Sequence, residues 1–94
     1  MPKFQVAHIH RSGVDLIIIP LGRNFGNRSR DDQEAVIDQL QARAENARLA
    51  GSVVPVWDGG GGRMAFIAPR NLHPFLRSIS LADVRRNVNR ELYW

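Results

Sequence analysis

Ninety-four residues, 44% hydrophobic and 23% charged, describe one ordinary globular domain with no room for a second. The absence of cysteine excludes disulfides and cysteine-based zinc or nucleophile sites. The formal charge of +4 is uneven: residues 1–47 are balanced, so the whole surplus falls in residues 48–94, where seven arginines face three acids.

A chain of this size buries about 65% of the surface its unfolded form exposes, enough for one modest core without staples. The N-terminus lacks the long apolar stretch of a signal peptide. The longest apolar run, residues 16–21, is far too short to span a bilayer. The expectation is a soluble, cytoplasmic protein with no membrane role and no cofactor.

Residues 4–11 alternate as a first strand, with Phe4, Val6, His8 and His10 on one face and Gln5, Ala7 and Ile9 on the other. Ser12-Gly13 then reads as a two-residue hairpin turn, because glycine tolerates the positive φ such turns require. The second strand, residues 14–21, is apolar on both faces through Leu16, Ile17, Ile18 and Ile19, as in a strand covered on both sides. Residues 22–30 form a loop rich in glycine, asparagine and arginine. A helix follows, with Asp31 as N-cap, Glu34 completing a capping box, a stripe of Val36, Ile37, Leu40, Ala44 and Ala47, and Gly51 as the stop.

The densest apolar stretch straddles four glycines. Residues 53–58 and 63–68 read as paired strands around Gly59–Gly62, with Val54 and Val56 on one face and Val53, Pro55 and Trp57 on the other. Pro55 lacks an N–H, which argues for an edge strand. Residues 74–79 suggest a short helical turn. Ser80 and Asp83 resemble a second cap, and Leu81, Val84, Val88 and Leu92 continue at helical spacing to the end of the chain.

The predicted fold is α+β: a four-stranded antiparallel sheet in ββαββα order, a permuted ferredoxin-like sandwich with one layer of helices. A right-handed crossover places the fourth strand between the third and second, giving the order 3-4-2-1. With both helices on one face, Trp57, Val53 and Ile67 would line the other. An apolar patch that large invites a homodimer.

Three functions compete. The leading one is a non-enzymatic module for nucleic acid or another polyanion. Its residues are Arg85, Arg86, Asn89 and Arg90 on one face of the last helix, joined by Arg23, Arg28 and Arg30 of the first loop. Asp31 and Asp32 offset that loop, since they would pair with Arg28 and Arg30. No RNA-recognition or zinc-finger signature accompanies the arginines, so base readout has no visible apparatus. The alternative is a protein-interaction or assembly domain with no nucleic-acid role. Third comes a histidine-dependent phosphodiesterase using His8, His10 or His73. His8 and His10 also have metal-ligand spacing, but no third ligand is fixed, and one histidine packed beside Phe4 and Val6 with the other solvated accounts for the pair without a metal. The glycine tract is no phosphate loop, because Arg63 and a strand follow it instead of Lys-Ser/Thr and a helix.

Overall fold

The computed structural model describes residues 3–11, 13–60 and 63–93. Strands β1 (Lys3–Arg11) and β2 (Val14–Pro20) form the expected hairpin, paired from Ala7↔Ile18 to Arg11↔Val14. Gly13 takes φ 76°, the conformation this tight turn needs. Ser12, the other turn residue, lies outside the described residues, as do Gly61 and Gly62 of the second loop and Trp94 at the end.

A 3₁₀ turn, Arg23–Asn27, leads into helix α1 (Arg30–Asn46). The helix begins earlier than Asp31. Ser29 is the N-cap, and its hydroxyl accepts the Asp32 N–H at 3.2 Å. Serine wins the position because its short side chain reaches that orphan amide, which leaves Asp31 and Asp32 to interact with the helix dipole from the first turn.

The sheet is mixed and five-stranded, in the order β4-β3-β2-β1-β5. Strand β3 (Ser52–Asp58) runs parallel to β2 and antiparallel to β4 (Met64–Phe66). The four-stranded antiparallel order 3-4-2-1 is therefore incorrect, and β3 is not an edge. Pro55 is tolerated inside the sheet because its carbonyl accepts the Ile67 N–H at 3.2 Å, which points its nitrogen toward the same side. That side is β4's, and the β4 ladder has ended at Phe66, so no ladder bond there depends on Pro55 as donor.

The last segment also departs from expectation. Helix α3 spans only Leu81–Arg86, and the chain then forms strand β5 (Arg90–Tyr93), antiparallel to β1 at the far edge. The apolar spacing that suggested one helix is divided between two cores. Val84 packs with Ala7, Leu16, Ile18, Val54, Val56 and Leu76 on one face of the sheet. Leu92 packs with Val6, Ile17, Ile19, Leu40, Ala44 and Val53 on the other. Helix α1 covers the second core; a 3₁₀ turn (Arg70–Leu72), α2 (His73–Arg77) and α3 cover the first. Helices thus lie on both faces, not in one layer. Val53 and Trp57 are buried, so only Ile67 of the proposed self-association surface is exposed. No helix among the described residues is long and apolar enough to cross a membrane.

Candidate anion-binding site

The arginines singled out in the sequence do not form one face. Arg86 is paired with Asp83 in α3. Asn89 is structural: its Oδ1 accepts the His8 N–H at 2.9 Å, and its Nδ2 donates to the His8 carbonyl at 3.0 Å. This amide clamp carries the contact with β1 from Val6, where the β1–β5 register ends, on to His8. Arg90, on a strand instead of a helix, donates from Nη1 to the Asn89 carbonyl at 2.9 Å. Arg30 pairs one turn along α1 with Glu34 at 3.4 Å. Arg28 stands exposed beside a cleft lined by Phe4, Leu21, Phe25 and Val36.

A different grouping emerges at the β3–β4 hairpin. Asp58 closes β3, and its Oδ1 accepts the Gly60 N–H at 2.9 Å, a local turn that orders the start of the glycine tract. Its Oδ2 accepts two bonds from Arg23, Nε at 3.2 Å and Nη2 at 3.0 Å. These contacts hold the carboxyl below its ordinary value, the Gly60 N–H contributing most and Arg23 next. Arg85, in the last turn of α3, adds its charge at longer range. Arg63 lies one residue before Met64, the partner of Asp58; its carbonyl accepts the Gly59 N–H and its own N–H donates to the Gly60 carbonyl. Arg63 in turn lines a groove with Arg77 of α2. The 3₁₀ turn and α3 thus bring Arg23 and Arg85 to Asp58, and the hairpin and α2 bring Arg63 and Arg77 to one groove.

Arg23 and Arg85 were legible as candidates, although not as neighbours. Arg63 directly follows the glycine tract, so a hairpin with its turn at Gly59–Gly62 puts it at the start of the returning strand, one residue before the partner of Asp58. Arg77 carries no linear signal, because only the docking of α2 over β4 brings it near.

The histidines are separated. His8 Nε2 lies 2.8 Å from the Ala50 carbonyl, and His10 Nδ1 lies 2.5 Å from Asp15 Oδ1, both on the α1 side of the sheet. His73 is on the other side, with Nε2 2.9 Å from the Ala68 carbonyl and its ring edge-on to Phe66 at 5.1 Å. The fold does not bring the three imidazoles to one centre. Among the described residues there is no group of three metal-ligating side chains.

No family model, curated protein or solved structure matches the chain.

Proposed function

We propose that this domain is a binding module for an anionic macromolecule, nucleic acid or another polyanion, and that the arginine-rich end at the β3–β4 hairpin is its contact surface. The observation that carries this reading is that Arg23 and Arg85 act on Asp58 at the end of β3, while Arg63 of the same hairpin and Arg77 of α2 line a groove with no acidic residue. Surface cations with an acid for each partner form a solvated, self-neutralised face. Here the charges outnumber the acid, and the excess is available to an external anion. Arg23 is pre-positioned by its two bonds to Asp58, which lowers the ordering cost of a contact.

The test is retention on heparin and binding to a 20-nucleotide single strand. Engaging the three surplus charges predicts a log–log salt slope of about −2 to −3. The double variant Arg63→Glu/Arg85→Glu is expected to abolish binding without loss of the wild-type circular dichroism, since both residues are exposed. Failure of the wild type to bind either probe at ~50 mM salt, where such contacts are strongest, would overturn the reading.

A further inference from the structure

Strand β4 is the outer strand of the sheet, and its hydrogen-bonding pattern shows what it leaves open. The Arg63 carbonyl accepts from Gly59, and the Ile67 N–H donates to Pro55, so residues 63, 65 and 67 turn their polar backbone inward. By alternation, the N–H and C=O groups of Met64 and Phe66 point away from the sheet. These are the groups to which a further strand attaches.

A groove runs beside this edge over the α2 face. Met64, Phe66, Leu76 and Ile79 give it an apolar floor, and Arg63 and Arg77 are among its walls with no acidic residue. Both arginines are exposed, and neither forms an ion pair with a described residue. An apolar floor and an open strand edge offer nothing specific to a sugar–phosphate chain, but both suit an extended polypeptide. A second copy of this chain is the poorer occupant, because residues 63–67 carry no acidic side chain to meet Arg63 and Arg77.

We infer that the β4 edge receives an extended acidic peptide, which adds as a sixth strand with apolar side chains over Met64 and Phe66 and carboxylates at Arg63 and Arg77. This rests on the anion-binding reading above and names its partner class. The backbone bonds would supply the alignment, and the two arginines the selection for negative charge.

The probe is the blocked peptide Glu-Glu-Val-Glu-Val-Glu-Glu, labelled for fluorescence anisotropy at ~50 mM salt, with its lysine counterpart as control. Saturable binding of the acidic peptide alone is expected, with Arg63→Glu/Arg77→Glu weakening it about tenfold or more. Two N-methylated forms, blocked at odd or at even residues, separate strand addition from simple charge attraction. A peptide on an edge presents every second N–H to the sheet, so one form is expected to bind and the other to fail. Equal binding of both forms overturns strand addition. A peptide that does not bind, beside a single strand or heparin that does, overturns the inference and leaves the anion-binding reading intact. Silence from every probe overturns both, and Arg63 and Arg77 are then charges that guard a short edge against aggregation.

Discussion

Arg48 has φ 61°, in the left-handed region that an L side chain enters at a cost. It does so to end α1: its N–H reaches the Glu45 carbonyl at 2.9 Å, and the Leu49 N–H reaches the Ala44 carbonyl at 2.9 Å. That reciprocal pair is a Schellman ending, and Leu49 returns to the core beside Ala44. Glycine is the usual occupant of the left-handed position. Arg48→Gly is therefore expected to raise stability by about 0.5–1 kcal/mol, after the greater unfolded-state freedom of glycine is subtracted. A higher urea midpoint with unchanged slope would register the gain. The sequence pointed to Gly51 as the stop because glycine there is conspicuous. Gly51 has another task. At φ 123° it lies against the Asp15 backbone so closely that a Cβ would meet it inside van der Waals contact. A linear reading sees that a glycine is needed but not whether a helix end or a neighbouring strand needs it.

At the scale of elements, caps decide boundaries. The Ser29 hydroxyl satisfies an orphan amide of α1, and Ser80 with Asp83 forms the full reciprocal box at α3. The Asp83 carboxyl is held below its ordinary value by the Ser80 backbone and hydroxyl, with Arg86 adding to the effect. Ser29→Ala is expected to cost about 1 kcal/mol, whereas Asp31→Ala, which removes no cap bond, is expected to cost less. Thermal melts of the two variants side by side rank them, and the reverse order would restore Asp31 as the cap. The β1–β2 hairpin was legible because alternation and Gly13 agree, as was the body of α1, where Leu40 and Ala44 of the apolar stripe are buried. The tail was not legible. Val84 and Leu92 lie eight apart, as on one helix face, yet the chain rounds the sheet edge between them. Asn87 Nδ2 closes on the Asp83 carbonyl at 2.7 Å and Asn89 clamps His8. Two asparagines that bond backbone in this way stop a helix, and they were visible in the sequence as signals against continuing it. Pro55 misled for a similar reason, since the rule about proline concerns the individual ladder bond and not the strand as a whole.

For the whole molecule, the run Leu16–Ile19 already stated that the sheet has two covered faces, because all four residues are buried and they alternate between the two cores. Placing every helix on one side contradicted that run and created an apolar face which a dimer then had to hide. With α1 on one side and α2 and α3 on the other, that driving force is gone. Trp57 instead packs edge-on against Phe25, with ring centroids 5.0 Å apart at 61°. Gly26 is held so near that a Cβ there would stand 2.5 Å from the indole Nε1. Replacing this side chain by Glu removes the aromatic contact and puts a carboxylate into space that excludes water. Loss of a large buried aromatic costs about 3–5 kcal/mol, and an unpaired buried charge adds to it. Against a total of about 5–15 kcal/mol for a domain, Trp57→Glu is expected to be largely unfolded. Ile67, at 37% exposure, offers the contrast. Ile67→Glu is expected to stay within about 0.5 kcal/mol of wild type and to sediment as wild type does. Circular dichroism melts and sedimentation velocity on both variants decide between the two pictures. An open, self-associating face predicts that both variants fold and that both alter the sedimenting mass. A two-faced core predicts that Trp57→Glu loses its cooperative melt while Ile67→Glu changes neither quantity.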